Sequence, residues 1–316
     1  MSDFLSVDDK RNWEEKLGKQ YVLKQQIGVG ERTVAYKMLK CDTKEKYVLL
    51  FSKVPLSSER KQKFKTFFES VKKRQSFCAE GYKGNIFIPE FQLFEDFRIQ
   101  KYAGEALSQE LYNRLSLRQK EKIAEDIAEY LLFVHEKSLN NADNDLFDSE
   151  KVKIGQIVAD NFWSPEDMYQ DIKFWDKYLS CEDKNKIEKY ISDYENRDKS
   201  DEIAVLTHGD LRYQNILYDC TKERLAIIDY ELCHVSSLYK DLCPFCHTGL
   251  DWDLTRKIAD IYNQKASKTW FDIEKVKLFS IISFLAECSR CSRFRPQMAK
   301  KLWNEFKQNE ERICNG

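Results

Sequence analysis

Two short stretches decide the fold: THGDLRYQN at residues 207–215 and IIDYE at residues 227–231. Their apolar and β-branched residues predict three short strands, at Val205–Thr207, Asn215–Tyr218 and Leu225–Ile228. The polar turn Asp219–Glu223 reverses the chain between the last two strands. Asp210 therefore lies on a loop directly after a strand, and Asp229 lies where the third strand ends.

This arrangement brings three polar side chains together. A hairpin of this length returns Asp229 beside Asn215, while Asp210 supplies a separate carboxylate. A carboxylate and an amide oxygen suit Mg²⁺, a hard cation that usually shares its oxygen ligands with substrate phosphates. A further carboxylate orients or deprotonates an attacking hydroxyl group. The spacing is therefore typical of a phosphoryl-transfer site, although Asp, Gly and Asn also favour ordinary turns.

The first third of the chain and the remainder have different patterns. Before residue 101, strand-like runs alternate with turns and one charged helical stretch at Ser57–Arg74. The predicted strands are Tyr21–Ile27, Thr33–Leu39, Tyr47–Val54, Ile86–Phe94 and Phe97–Tyr102. Later, Ser116 and Gln119 predict a capping box for a helix that reaches Lys137, and a second helix is predicted over Asp272–Arg293. One face of the first helix is apolar, at Ile123, Ile127, Tyr130, Leu131 and Val134.

We therefore predict a two-lobed α+β fold. An N-terminal lobe of residues 1–100 holds a small antiparallel sheet, and a larger helical lobe of residues 101–316 holds the motif. A cleft between two lobes is a natural place for a ligand.

Composition argues against several classes of function. The 316 residues carry 52 basic and 53 acidic side chains and a formal net charge of -1. The chain therefore has no net positive charge that would attract nucleic acid or an anionic membrane. No apolar run approaches the length of a membrane span, and the acidic start MSDFLSVDDKR lacks the apolar core of a signal peptide. We expect a cytoplasmic protein with reduced cysteines and neither a nucleic-acid nor a membrane partner.

The HGD motif, the Asn five residues later and the strand-end Asp of IDYE resemble the aminoglycoside phosphotransferase and choline kinase superfamily, which has a protein-kinase-like fold. The resemblance implies that Asp210 is the catalytic base and that Asn215 and Asp229 bind Mg²⁺. It also implies that His208 braces the loop and that Asp241 holds the segment after it. A regulated protein kinase is disfavoured, since HGD lacks the Arg of HRD and no APE sequence follows.

The resemblance extends to a nucleotide site in the N-terminal lobe. The sequence IGVGERT at residues 27–33 is similar to a nucleotide-phosphate loop, for which a plain hairpin turn is the alternative. The sequence FRIQKYAGEAL at residues 97–107 is similar to the family's hinge. The residues implied to bind the nucleotide are Gly28, Gly30, Thr33, Gln100 and Tyr102. Mg²⁺ with ATP or GTP is the expected cofactor set.

One position departs from the family pattern. The family expects a basic residue in the third strand, where YVLLFSK at residues 47–53 places Leu50. Lys53 lies three residues further on and would face the other side of a straight strand unless a bulge re-aims it. We nevertheless predict Lys53 as the phosphate-facing cation. A catalytically weakened, nucleotide-binding relative is the alternative that this departure leaves open.

The predicted acceptor is a small amine-bearing hydroxyl compound. Carboxylates at Asp210, Glu231 and Asp251 favour a cation, and Arg212 is predicted to place positive charge near the transferred phosphate. The HGD motif favours an aminoglycoside as the acceptor, whereas Tyr230 with Glu231 favours choline or ethanolamine. The sequence predicts ATP and GTP equally as the phosphate donor, and no oligomeric state follows from it.

Two C-x-x-C pairs raise a rival hypothesis. CPFCH at residues 243–247 and CSRC at residues 288–291 together have the ligand types of a structural zinc site. The first also fits a haem-attachment pattern, for which export would be needed. The separation between the pairs is long for a compact zinc module. We therefore predict reduced structural thiols without metal.

Overall fold

The computed structural model describes residues 17–29, 33–52, 58–94, 97–148, 150, 152–157, 169–170, 179–243, 252–266, 270–294 and 296–315. The chain divides into two compact units: Met1–Gly81 with Phe87–Gly104, and Tyr82–Ile86 with Glu105–Gly316. The first unit is built on an antiparallel sheet and the second is mainly helical, so the predicted kinase-like α+β fold class is confirmed.

Among the described residues of the first unit, an antiparallel sheet is formed by β1 (Tyr21–Val29), β2 (Thr33–Lys40), β3 (Lys46–Ser52), β5 (Phe91–Leu93) and β6 (Phe97–Lys101). The order of its strands is β1-β2-β3-β6-β5. Alternating side chains of β2, β3 and β6 bury one face. The buried residues of that face form one cluster with Leu17, which precedes β1 in the chain. They are Val34, Tyr36, Met38, Leu49, Phe51, Phe97 and Ile99.

Helix α1 (Ser58–Ala79) belongs to the same unit. Its Phe68 ring lies edge-on to the Phe91 ring of β5, with centroids 6.1 Å apart, and Gln75 donates to the Pro89 carbonyl. The single strand predicted over Ile86–Phe94 was wrong, because the chain forms β4 (Ile86–Phe87) and then β5. Pro89 has no N–H group to continue a ladder between them.

The helices of the second unit whose bounds are described are α2 (Gln109–Arg114), α3 (Leu117–Asn140), α4 (Cys181–Glu195), α5 (Trp252–Lys265), α6 (Ile273–Phe294) and α7 (Pro296–Asn315). The predicted capping box is confirmed: the Gln119 N–H donates to Ser116 Oγ at 3.3 Å, and the Ser116 N–H donates to Gln119 Oε1 at 3.0 Å. The apolar face predicted for α3 is buried throughout, and α3 packs against α5.

Two small sheets carry the motif. One has the order β4-β10-β9-β7, from β7 (Glu105–Ala106), β9 (Ile216–Asp219) and β10 (Arg224–Ile227) together with β4. The other pairs β8 (Ala204–Thr207) with β11 (His234–Ser237). The sequence indicated the strand before Asp210, but it did not reveal that this strand pairs with β11.

Among the described residues, no helix combines the length and apolar character that spanning a membrane requires.

Candidate active site

The loop that carries Asp210 leaves the end of β8. Thr207 pairs with His234 of β11, and its hydroxyl donates to the His234 carbonyl at 3.0 Å. Gly209 has φ +78°, and a Cβ atom there would lie 2.1 Å from the Leu232 carbonyl oxygen. Glycine is required at this position, because a side chain would meet both the left-handed backbone and a fixed carbonyl.

Asp241 fastens the same loop from a short helical turn, Leu238–Asp241. Its side chain is buried, and its two oxygens accept the backbone N–H groups of His208 and Gly209, each at 3.0 Å. Burial by itself raises the pKa of Asp241, but the hydrogen bonds from His135 and the Gly209 N–H, with the attraction of both histidines, outweigh it, so the pKa is lowered. The carboxylate is therefore held ionised inside the second unit.

His135 connects Asp241 to helix α5. Its Nε2 lies 3.4 Å from Asp241 Oδ2, and its Nδ1 lies 3.0 Å from the Tyr262 hydroxyl. A carboxylate only accepts, so Nε2 carries the proton that is donated to Asp241. The histidine near the end of α3 thus has a partner for each ring nitrogen.

His208 joins the loop to the end of β10. Its Nε2 donates to the Ile228 carbonyl at 3.0 Å, and its Nδ1 accepts the Asp210 N–H at 3.3 Å. These partners define the neutral tautomer with the proton on Nε2. The ring also lies against Tyr230, with centroids 4.6 Å apart. His208 therefore contacts both the loop that carries Asp210 and the segment that carries Asp229.

The carboxylate of Asp210 is held from both sides. Arg212 Nε donates to Oδ1 at 2.5 Å, and Asn215 Nδ2 donates to Oδ2 at 3.0 Å. Burial raises the pKa of Asp210, and the nearby Asp229 raises it further, while Arg212 opposes the rise without cancelling it. Such a carboxyl group is a better proton acceptor than an exposed aspartate.

Asn215 and Asp229 are brought together by the β9–β10 hairpin. Ile216 pairs with Ile227, and the next N–H, that of Ile228, donates to the Asn215 carbonyl at 3.0 Å. Asp229 follows directly in the left-handed region, with φ +68° and ψ +58°. Strand β10 ends at Ile227, and the bend at Asp229 follows two residues later, directly after the residue that bonds to the Asn215 carbonyl.

This donor set fits a magnesium ion that also binds phosphate. The amide nitrogen of Asn215 is used by Asp210, so its oxygen is available as a ligand, and Asp229 adds a carboxylate. No group of three or more His, Cys, Asp and Glu side chains with metal-site geometry occurs in the described residues. Two protein ligands are sufficient where phosphate oxygens and water complete the shell of Mg²⁺.

Residues next to Asp229 and Asp241 in the chain carry charges of both signs. Glu231 is half-buried in the turn Tyr230–Leu232, and the Tyr230 hydroxyl lies 2.6 Å from that of Tyr130 on α3. Lys240 interacts electrostatically with Asp210, and burial lowers its pKa. No sequence pattern indicated Lys240, because its only local feature is its position before Asp241.

The predicted nucleotide residues that are described lie in the first unit. Gly28 is near the end of β1 and Thr33 begins β2. Gln100 is buried on β6, and Tyr102 follows that strand, where its N–H donates to the Lys46 carbonyl. The remaining predicted residues, Gly30, Lys53 and Asp251, lie outside the described residues.

The cysteine pairs are described in part. Cys243, Cys288 and Cys291 are buried, and burial raises the pKa of the Cys288 thiol. Cys246 and His247 lie outside the described residues, so the absence of zinc stays a prediction.

Comparisons with known proteins agree with the fold. A family model described as the phosphotransferase enzyme family matches residues 25–279. A ternary complex of streptomycin, ATP and APH(2'')-IIa is 21% identical over 98% of this chain and 97% of that chain, with a TM-score of 0.59. A macrolide 2'-phosphotransferase type I is 13% identical over 95% and 98% of the two chains, with a TM-score of 0.61.

An ethanolamine kinase from Plasmodium vivax is 17% identical over 89% of this chain and 80% of that chain, with a TM-score of 0.50. No curated protein matches the chain. The family match covers most of the sequence and includes both stretches that form the site. The chain therefore belongs to the phosphotransferase enzyme family and is a kinase of that family.

Proposed function

We propose that the protein transfers the γ-phosphate of ATP or GTP to a hydroxyl group of a small amine-bearing compound. The observation that carries this proposal is the cluster of Asp210, Asn215 and Asp229 at the ends of β8, β9 and β10. It places a carboxylate of raised pKa beside an amide and a second carboxylate. These are the groups that phosphoryl transfer requires.

Asp210 acts as the base in this proposal. Its carboxylate accepts the proton of the acceptor hydroxyl as the oxygen attacks the γ-phosphorus and the bond to the β-phosphate oxygen breaks. Asn215 fixes the orientation of the carboxylate through its hydrogen bonds to the side chain and the carbonyl of Asp210. Arg212, held against the same carboxylate, supplies positive charge beside the transferred group.

Asn215 and Asp229 hold Mg²⁺ in this proposal. When bound, Mg²⁺ neutralises the charge of the nucleotide phosphates. The chain contributes two rigid ligands, because Asn215 is fixed by Asp210 and Asp229 by the bend at the end of β10. Asp241 and His208 keep that geometry by holding the loop and the strand end together.

The acceptor class is argued from charge. Asp210 and Glu231 favour an amine, whereas Lys240 opposes one. We place an aminoglycoside ahead of choline or ethanolamine. Neighbours in fold include the streptomycin complex and the ethanolamine kinase, so both groups belong in the test. We also propose that the protein works in the cytoplasm, where ATP is available.

The test is a kinase assay with a panel of acceptors. The purified chain is incubated with Mg²⁺ and ATP or GTP, and with aminoglycosides, choline, ethanolamine, a neutral sugar and an anionic hydroxy acid. Phosphorylation of the amines, weakened by added salt, is expected because much of their attraction is screened Coulomb energy. Phosphorylation of only the neutral or anionic acceptors would contradict the proposed acceptor.

Two variants separate the roles at the site. Asp210→Asn should remove most turnover and leave nucleotide binding nearly unchanged, because asparagine cannot accept the proton of the acceptor hydroxyl. Asp229→Ala should weaken Mg²⁺-nucleotide binding itself. Full turnover in Asp210→Asn would contradict the assignment of the base.

A weakened, nucleotide-binding relative is the second candidate, and Leu50 favours it. This apolar side chain lies on β3 at the position where the family pattern has a basic residue. Magnesium-dependent nucleotide binding without phosphorylation of any acceptor in the panel would favour that candidate.

A further inference from the structure

His234 is the first residue of β11 and lies beside the loop that carries Asp210. It pairs with Thr207 at the end of β8. Its Nδ1 lies 2.6 Å from the Leu232 carbonyl oxygen, and a Cβ atom added to Gly209 would lie 3.2 Å from the same nitrogen. The imidazole ring therefore lies against the backbone of the residue that directly precedes Asp210 in the chain.

The two ring nitrogens of His234 have different roles. A carbonyl oxygen only accepts, so Nδ1 carries the proton that is donated to Leu232, and Nε2 keeps its lone pair. Each ring nitrogen of His135 and of His208 has a partner. Nε2 of the half-buried His234 has no partner among the described residues. His234 therefore offers an unused hydrogen-bond acceptor beside the loop that carries Asp210.

The surroundings of His234 keep its ring neutral. Burial lowers the pKa of His234, and Lys240 adds to the fall, while the hydrogen bond to Leu232 and the charge of Glu150 oppose it without cancelling it. Glu150 is held nearby, because its Oε2 accepts the Val235 N–H at 3.2 Å. A neutral imidazole can accept an N–H group, and a carboxylate close to it attracts positive charge.

A small acceptor with its hydroxyl group at Asp210 is long enough to reach His234. Consecutive Cα atoms lie about 3.8 Å apart, so contact with Gly209 brings Nε2 to within about 11 Å of the Asp210 Cα atom. Bond lengths of about 1.5 Å place an amine on the adjacent carbon about 3 Å from the hydroxyl oxygen. With one hydrogen bond of about 2.8 Å at each end, such an amino alcohol bridges about 9 Å.

We propose that His234 selects acceptors whose amine carries an N–H group close to the reacting hydroxyl group, by accepting that N–H at Nε2. The inference rests on the proposed function, because it requires the acceptor hydroxyl at Asp210. It separates two groups of acceptors that have the same charge. Aminoglycosides and ethanolamine have N–H groups, whereas the trimethylammonium group of choline has none and leaves Nε2 without a partner. His234 therefore favours the first group over choline.

The experiment compares an amine with its quaternary counterpart in a kinase assay with Mg²⁺ and ATP. The two pairs are ethanolamine with choline, and kanamycin with exhaustively N-methylated kanamycin. For the pair that it phosphorylates, the unsubstituted chain should have a kcat/KM about 10- to 100-fold higher for the N–H amine, because the quaternary amine leaves an acceptor unpaired. His234→Asn should reduce this preference to below about threefold by raising KM for the N–H amine, while KM for ATP stays unchanged.

Two substitutions separate recognition of the acceptor from packing. The side-chain amide of asparagine can still donate to the Leu232 carbonyl, as Nδ1 does, so His234→Asn keeps the structural bond and removes Nε2. The longer side chain in His234→Gln carries its amide oxygen toward the position of Nε2 and should retain part of the preference. Titration calorimetry with the same amines gives the comparison without turnover.

The outcomes distinguish this inference from the proposed function. Equal losses for the N–H amine and its quaternary counterpart in His234→Asn, or no loss for either, would overturn the role of His234. A preference of the unsubstituted chain for the quaternary amine would do so as well, and that result needs no variant to fold. An unsubstituted chain that neither binds nor phosphorylates any of these amines would instead contradict the proposed function.

Discussion

Replacing Asp241 by Asn tests how the loop that carries Asp210 is held. The carboxylate accepts N–H groups from His208, Gly209 and His135. Asparagine keeps one acceptor oxygen and turns an NH₂ group toward one of these donors. The loss of a charge-assisted bond and the burial of an unsatisfied N–H should together lower the free energy of unfolding by about 3–5 kcal/mol.

The pH dependence of stability gives a second readout. Because the pKa of Asp241 is lowered in the folded protein, its stabilisation is complete above the unfolded value of about 3.9. That stabilisation is lost as the pH falls through the folded pKa. Asp241→Asn should therefore flatten the acid side of the stability curve, in addition to abolishing phosphoryl transfer.

The measurement is urea unfolding followed by circular dichroism from pH 3 to pH 8. Asp219→Asn is the matched control, because Asp219 also has a lowered pKa, from the hydrogen bonds that Thr221 donates to it, but lies at the end of β9, where the β9–β10 turn begins. Asparagine preserves such turns, so its cost should stay below about 1 kcal/mol. An Asp241→Asn protein as stable as the control, with an unchanged acid limb, would refute the reasoning.

Three further substitutions probe the second unit. Gly209→Ala should lower kcat strongly in a kinase assay, because its Cβ would collide with a backbone carbonyl; unchanged kcat would contradict the close approach. Tyr130→Phe removes the 2.6 Å contact with the Tyr230 hydroxyl and should cost about 1–2 kcal/mol in urea unfolding, whereas no loss would show that the bond is dispensable. Glu202→Gln breaks a buried bidentate pair with Arg197 and should cost about 3–5 kcal/mol; the double variant with Arg197→Met should recover part of this loss, and strict additivity would argue against the pair.

Local patterns predicted much of the secondary structure. The starts of β1, β2 and β6 and the capping box of α3 agree with the sequence, because each depends on residues close together in the chain. The strand Ile86–Phe94 was wrong because Pro89 interrupts the ladder. The short strand β11 was missed, since His234–Ser237 has no alternating apolar pattern and is formed by pairing with β8.

The motif spacing alone predicted that Asp210, Asn215 and Asp229 lie close together, because Asn215 follows Asp210 by five residues and one hairpin returns the chain from Asn215 to Asp229. The way in which that loop is held depends on long-range contacts. Asp241, His135 and Tyr262 meet although more than a hundred residues separate His135 from either of the others. Contacts of this kind depend on how helices and strands pack, so the local sequence pattern around each partner does not predict them.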